Sequence, residues 1–141
     1  MKNNLFIVLF LFFCSCQNKK QSVHYRFDEQ EYVLVTSKKD SSGNDYFKVY
    51  RNRKDTTKYL AKSYWKNGIL QSSLFFTNGV RNGPHKIYNN DGTLSFESFY
   101  YLNKKTGLEI NYEYGKISDF AIYDNGVQLE IDSSVKKEIL K

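Results

Sequence analysis

Two consecutive stretches decide the fold: YWKNGILQSSLFFTNGVRNGPHKIY at residues 64–88 and YNNDGTLSFESFYYLNKKTGLEINY at residues 88–112. Sliding the first onto the second by 24 positions places Gly68 on Gly92. The same offset aligns Tyr64 with Tyr88, Leu70 with Leu94, Phe75 with Phe99, Phe76 with Tyr100 and Gly83 with Gly107. A third unit, one residue shorter, has Gly115 in the place of Gly92. The agreement indicates an internal repeat.

The repeat carries the pattern of joined β-hairpins. Asn-Gly or Asp-Gly between apolar segments is the strongest short-range hairpin signal, because both central residues of a type I′ turn need positive φ. Such pairs occur at residues 67–68, 78–79, 91–92 and 125–126, and aromatic segments of strand length lie between them. The glycines assigned to repeat turns are Gly68, Gly79, Gly83, Gly92, Gly107, Gly115 and Gly126. We therefore expect an all-β, antiparallel meander of stacked hairpin repeats of about 24 residues each.

Units reading Y-x-x-x-G-x-L, a strand, N-G or N-x-x, and G-x-x-x-x-Y resemble the MORN-repeat variant of bacterial YwqK-like proteins, some of which carry the label "antitoxin". The resemblance covers residues 64–130. It implies an elongated antiparallel meander and no known chemistry. The motif Lys104-Lys105-Thr106-Gly107 departs from the usual pattern, and Glu130 replaces the second glycine of the third unit.

The segments that flank the repeats are predicted to cap them. Residues 25–63 are expected to form an N-terminal hairpin and a degenerate first repeat, and residues 131–141 a C-terminal cap. Asp132 is followed by apolar residues at helical spacing, which predicts a short helix there. Arrays need such ends, since an uncovered edge strand pairs readily with another chain. Self-association through pairing of the sheet edges is therefore a further possible interaction.

The N-terminus is typical of an export signal. Residues 5–13 are an apolar run that is too short to span a bilayer, which favours a signal peptide over residues 1–15. Ser15-Cys16 resembles a bacterial lipobox, so Cys16 is the predicted site of lipidation and of membrane attachment. Residues 16–24 would then be the lipidated cysteine and a polar tether. Lipoproteins retained in the inner membrane often have aspartate after the lipidated cysteine. This chain has Gln17 there, which by resemblance indicates the outer membrane. The alternative is an ordinary secretory signal followed by two structural cysteines.

Charge and motif content argue against several functional classes. The formal net charge is +6, but the lysines are spread between strands, so we expect no nucleic-acid partner. His24 and His85 lack the spacing of a metal site, His85 is expected to face solvent, and no metal or cofactor is predicted. Nucleophile and phosphate-loop motifs are absent from the sequence, so we expect no enzyme. Carboxylates along the repeats, Glu97 and Asp119 among them, leave a carbohydrate-active enzyme as a low-ranked alternative.

Aromatic side chains are the best functional signal, since one face of a thin sheet cannot bury them all. The candidate interaction surface consists of Tyr64, Trp65, Phe76, Tyr88, Tyr100, Tyr101 and Tyr112. Such rows suit protein or saccharide contacts, although cross-strand packing also explains them. The predicted function is that of a lipid-anchored envelope protein acting as a non-enzymatic interaction or structural module, with an unknown protein or saccharide partner. The alternative is a YwqK-like, toxin-neutralising antitoxin.

Overall fold

The computed structural model describes residues 29–140. The predicted signal peptide, Cys16, the polar tether and His24 lie outside this range. A short 3-10 helix (Glu29–Glu31) precedes ten strands, β1 (Tyr32–Lys39), β2 (Asp45–Asn52), β3 (Lys58–Tyr64), β4 (Leu70–Thr77), β5 (Val80–Tyr88), β6 (Leu94–Tyr101), β7 (Lys104–Lys105), β8 (Gly107–Glu113), β9 (Lys116–Asp124) and β10 (Val127–Leu129). Helix α1 (Ser133–Ile139) follows.

All ten strands belong to one antiparallel sheet. Apart from the short β7, the strands pair in sequence order, β1-β2-β3-β4-β5-β6-β8-β9-β10, and β7 pairs with β6. The prediction of an all-β meander is confirmed. The short C-terminal helix is confirmed as well: Asp132 is its N-cap, and the carboxylate accepts hydrogen bonds from the backbone of Ser134 and Val135. No helix within residues 29–140 is long and apolar enough to cross a bilayer.

The 24-residue repeat is visible in the turn hydrogen bonds. In the β3–β4 turn, Trp65 N donates to Ile69 O at 2.8 Å and Gly68 N to Trp65 O at 2.9 Å. The β5–β6 turn repeats this pair from Asn89 and Gly92, at 2.8 and 3.0 Å. The β1–β2 turn, residues 40–44, has the same two bonds at 2.9 and 3.0 Å. The repeat therefore begins one hairpin earlier than the glycine spacing shows.

The type I′ prediction holds for two Asn-Gly pairs. Asn78 and Gly79 have φ of 52° and 77°, and Asn125 and Gly126 have φ of 51° and 89°. These are the two-residue turns that match the twist of the flanking strands.

The same prediction is wrong at residues 67–68 and 91–92, where only the glycine has positive φ. The preceding side chain closes the turn instead. The Oδ1 of Asn67 accepts from Ile69 N at 3.1 Å, and the Oδ1 of Asp91 accepts from Thr93 N at 2.8 Å. Asn and Asp favour such local bonds, which produce a longer loop with one left-handed glycine.

Two of the predicted turn glycines lie in strands. Gly83 is buried inside β5, opposite Tyr100, with φ of 136°. Gly107 opens β8 with φ of 76°. The β4–β5 register shifts between Leu74 and Phe76, which marks a β-bulge opposite Gly83. A bulge, like a turn, requires unusual backbone angles, so the repeated glycine does not distinguish between them.

The register sorts the side chains onto two faces, since directly opposed residues share a face. We call one the lysine face, after the row Lys48, Lys62, Ser73, Lys86 and Glu97 on β2 to β6. We call the other the histidine face, after the row Val49, Ala61, Leu74, His85 and Ser98 on the same strands. Each residue of the second row is the chain neighbour of a residue of the first, so the two rows lie back to back.

Burial is sparse, as expected for a sheet of one layer. Within the described residues the buried apolar side chains are Leu60, Phe75 and Phe120 on the lysine face and Tyr100 on the histidine face. Many other side chains on both faces are half-exposed. Both faces therefore present side chains to solvent.

Candidate binding surface

The lysine row crosses five strands at right angles. Lys48 is opposite Lys62, Ser73 lies between Lys62 and Lys86, and Lys86 is opposite Glu97. With about 4.8 Å between strands, the row is about 19 Å long. The expectation that the lysines are spread between strands without forming a row is wrong for Lys48, Lys62 and Lys86. Lys62 and Lys86 each precede a unit glycine by six residues, so the repeat places them on one face.

Each ammonium group of the row has a neighbour that fixes its position. Lys48 Nζ lies 3.1 Å from a carboxylate oxygen of Asp45, and this hydrogen bond raises the pKa of Lys48. Lys48 Nζ also lies 5.2 Å from the ring centroid of Tyr64, and Lys62 Nζ lies 5.3 Å from that of Tyr50. These distances are within cation–π range. The cations are therefore held against aromatic rings on the sheet surface.

Glu97 is the single acid of the row and is shared between two partners. Its Oε2 lies 3.8 Å from Lys86 Nζ, and its Oε1 accepts a hydrogen bond from Tyr112 Oη at 2.5 Å. That hydrogen bond raises the pKa of Tyr112 to about 12. Burial, followed by the charge of Glu97, raises the pKa of Tyr88. Both phenols are therefore neutral at physiological pH and can donate or accept hydrogen bonds.

A shallow groove of ≈ 220 Å³ lies along this row. Its apolar walls are Leu60, Leu70, Phe75 and Pro84, and its polar lining is Lys62, Ser73, Lys86 and Tyr88. The small Ser73 side chain leaves a notch between the two lysines. A second depression of ≈ 300 Å³ adjoins it at Pro84 and Glu97, and a third of ≈ 290 Å³ lies at Lys48, Tyr64 and Lys66. The three depressions follow the order of the strands.

One side of the groove is closed by an apolar cluster. The rings of Tyr32 and Phe75 meet edge to face, with centroids 6.3 Å apart. Their strands, β1 and β4, are three spacings apart, or about 14 Å, so the two side chains lean toward each other. Leu60 lies between them in the strand order and is 1% exposed. The lysine face thus combines an apolar end with a charged middle.

The predicted interaction residues divide between the two faces. Tyr64, Tyr88 and Tyr112 lie on the lysine face, each next to a register shift of its strand pair. Tyr101 is 57% exposed at the end of β6. Trp65 lies in the β3–β4 turn, where its indole N–H donates to Tyr88 O at 3.0 Å. The structure therefore brings together three of the seven, at a constant interval of 24 residues.

Phe76 and Tyr100 lie on the histidine face, and Tyr100 is not a contact residue. It is 8% exposed, with the Arg81 guanidinium 4.4 Å above its ring and the ring of His85 at 6.1 Å. Arg81 lies two residues before Gly83, which is opposite Tyr100, so its side chain is on the same face as the ring. The prediction of an exposed Tyr100 is wrong because cross-strand packing and the guanidinium cover it.

His85 is half-buried and does not face solvent as expected. Its ring packs against Phe96 at 5.8 Å, and its Nδ1 is buried without a hydrogen-bond partner in the described part of the chain. The hydroxyl of Ser98, directly opposite, is likewise buried and unpartnered there. Burial, with smaller contributions from Arg81 and Lys105, lowers the pKa of His85. No group of three or more potential metal-ligating side chains occurs among the described residues.

Glu97 and Asp119, the acids named for a glycosidase pair, lie on opposite faces. Asp119 is opposite Asn111, which is opposite Phe96 of the histidine face. Asp119 also accepts from Lys136 Nζ of helix α1 at 2.5 Å, and this hydrogen bond lowers the pKa of its carboxyl. Two acids on opposite sides of a sheet cannot flank one glycosidic bond.

No protein-family model matches the chain, and no curated protein matches it. A structural comparison finds a likeness to the solved structure described as "Crystal Structure of TarM", with 10% sequence identity and a TM-score of 0.45. The likeness covers 72% of this chain and 21% of that chain. The chain thus spans about a fifth of the length of that protein.

Proposed function

We propose that this protein is a lipid-anchored envelope protein that acts as a non-enzymatic interaction module, and that the lysine face is its contact surface. The observation that carries the proposal is the row of half-exposed lysines among aromatic side chains on one face of a single-layer sheet. Like charges directly opposed on adjacent strands destabilise a sheet. Lys48 and Lys62 are opposed in this way, so a role in binding explains the row better than a role in folding.

The shape of the surface agrees with contact rather than catalysis. The groove at Ser73 is open along the sheet, whereas small-molecule sites usually enclose most of their ligand. Its tyrosine and lysine side chains combine apolar area with polar tips, which is the composition of recognition surfaces. An N-terminal lipid on Cys16, followed by a polar tether, would leave this face free to meet other envelope components.

The anchor is tested by metabolic labelling with a palmitate analogue, comparing the wild-type chain with Cys16→Ser after cell fractionation. We expect label in the outer-membrane fraction for the wild type and none for the variant. Equal labelling of both chains, or an unlabelled wild type in the cytosol, would reject the anchor and direct attention to a cytoplasmic partner.

The contact surface is tested by photo-crosslinking in living cells with benzoylphenylalanine at one position of each face. Leu108 lies on the lysine face, opposite Ile122, and Thr36 lies on the histidine face, opposite Val49. Both are exposed strand positions. We expect a crosslinked species of higher mass from position 108 and little from position 36. Crosslinking from position 36 alone, or from neither position, would refute the proposed contact face.

A further inference from the structure

We propose that the lysine face binds a linear anionic saccharide, with one carboxylate-bearing sugar unit at the notch formed by Lys62, Ser73 and Lys86. This inference rests on the proposed contact function and names the class of its ligand. The charge of the row, the geometry of the notch and the direction in which the depressions follow one another support it.

The positive charge of the row favours an anionic ligand. Four of its five positions carry a charge, three positive and one negative. Asp45 pairs with Lys48, and Glu97 contacts Tyr112 and Lys86, so both acids are already engaged and the group keeps a net positive charge. Lys62 and Lys86 lie on either side of Ser73, two strand spacings or about 10 Å apart. A carboxylate between them would receive charge-assisted hydrogen bonds from both ammonium groups, which are the stronger class of hydrogen bond. The serine hydroxyl lies between them as a further donor.

The walls of the notch favour a sugar ring as the carrier of that anion. Phe75 and Tyr88 line the groove, Phe75 in its apolar wall and Tyr88 with a phenol that remains neutral at physiological pH. The half-exposed ring of Tyr88 offers apolar area to the C–H face of a pyranose, while its phenol can bond the sugar hydroxyls. A groove of ≈ 220 Å³ holds one unit of a chain rather than a large ligand.

The arrangement of the depressions favours a chain of sugars over a single sugar. Three of them follow the strand order from Lys48 through Ser73 to Ile110. A linear polymer lying across the strands would meet similar chemistry at each step, because Tyr64, Tyr88 and Tyr112 recur at one interval. Extended peptides bind to sheets mainly through the backbone of an edge strand. The lysine face offers side chains only, which suits a ligand whose polar groups surround its rings.

The test is titration calorimetry with the full chain in a nonionic detergent. The probes are a hexameric oligogalacturonate and maltohexaose, its neutral counterpart in length. We expect binding of the oligogalacturonate, at least about tenfold weaker binding of maltohexaose, and weakening of the acidic probe by salt.

Two double variants separate the row from net charge. Lys62→Gln with Lys86→Gln removes the notch cations, and Lys116→Gln with Lys137→Gln removes two exposed lysines elsewhere. We expect the first pair to weaken oligogalacturonate binding about tenfold or more and the second by less than about twofold. Thermal melts establish that both variants fold. Equal losses in the two variants, or equal affinity for maltohexaose, would overturn the proposal.

Other anionic partners are outcomes of the same experiment. Tighter binding to phosphatidylglycerol vesicles or to single-stranded DNA than to oligogalacturonate would assign the face to lipid or nucleic acid and reject the saccharide. If position 108 crosslinks in cells while the oligosaccharide fails to bind, the saccharide inference fails and the contact function stands. If neither result is obtained, both fail.

Discussion

The two rows that lie back to back in the sheet differ in chemistry although they come from the same strands. On the histidine face, the row from Val49 to Ser98 is apolar over three strands and ends in a half-buried histidine and a buried serine. On the lysine face, at the adjacent residue of each strand, the row from Lys48 to Glu97 is charged at four of five positions. In a single-layer sheet, alternate residues of one strand can thus contribute to an apolar row on one side and a charged row on the other.

The largest effect is expected at the apolar end of the lysine face. Leu60→Ala removes a side chain that is 1% exposed, and we expect a loss of about 3 kcal/mol in the free energy of unfolding. Leu108→Ala, at a side chain that is 53% exposed on the same face, should cost less than about 0.5 kcal/mol. Denaturant unfolding of the full chain measures both. Similar losses would show that burial on this face does not support the fold.

The next effect compares two serines on opposite faces. The Ser98 side chain is buried on the histidine face, and its hydroxyl has no partner within the described residues. Because a buried, unpaired hydroxyl is costly, we expect Ser98→Ala to stabilise the protein by about 1 kcal/mol. Ser73→Ala in the lysine row should change stability by less than about 0.5 kcal/mol. Destabilisation by Ser98→Ala in the same unfolding measurement would show that the hydroxyl is hydrogen-bonded.

His85 gives the histidine face a pH dependence. Burial lowers its folded pKa, with Arg81 and Lys105 adding to the effect. Its contribution to stability is therefore fully present above the unfolded pKa of about 6.5 and is lost as the pH falls below it. Since the ring is only half-buried, we expect less than about 1.4 kcal/mol, the value of one pKa unit.

Unfolding between about pH 7.5 and about pH 5 measures this contribution. His85→Gln should flatten the profile, and His24→Gln, outside the described residues, should leave it unchanged. The carboxylates of Asp45 and Asp119 have lowered pKa values, so they lose their contribution only below about pH 4 and do not overlap this window. An unchanged slope in His85→Gln would place the pH response elsewhere.

The smallest effect belongs to the opposed lysines. Because Lys48 and Lys62 repel each other across the strands, added salt should slightly stabilise the wild type. Lys62→Gln should reduce this salt response. It should also relieve the repulsion at low salt, but losing the contact of Lys62 with Tyr50 offsets part of that gain in stability. A salt response of equal size in the variant would show that the row is already neutralised within the fold.

The hairpin array was predictable because turn chemistry is local. Asn78-Gly79 and Asn125-Gly126 need positive φ whatever surrounds them, and the 24-residue spacing reports the stacking of units. The C-terminal helix followed from the cap at Asp132 for the same reason. The lipid on Cys16 stays a prediction.

Face assignment was less predictable, because register shifts interrupt the alternation of side chains. Shifts occur before Tyr64, Tyr88 and Tyr112, and another lies between Leu74 and Phe76. Each shift moves the following residues relative to their partners on the next strand. Counting alternate residues along the sequence therefore does not show that Tyr88 and Tyr100 lie on opposite faces. The lysine row was not predictable from the sequence, because its lysines are 14 and 24 residues apart and only the sheet brings them together.

The third unit shows how the array tolerates changes in length. It is one residue shorter than the second, and the missing residue falls in the turn: Tyr114-Gly115 forms a two-residue hairpin between Glu113 and Lys116. The strands on both sides keep their faces, since Ile110 still follows Glu97 in the charged row and Phe120 follows Ile110. Duplication of one unit in the gene would therefore lengthen the lysine face by two strands, or about 10 Å, without turning any side chain to the other side. Copy number, rather than substitution, is then the simplest route by which evolution could lengthen this surface.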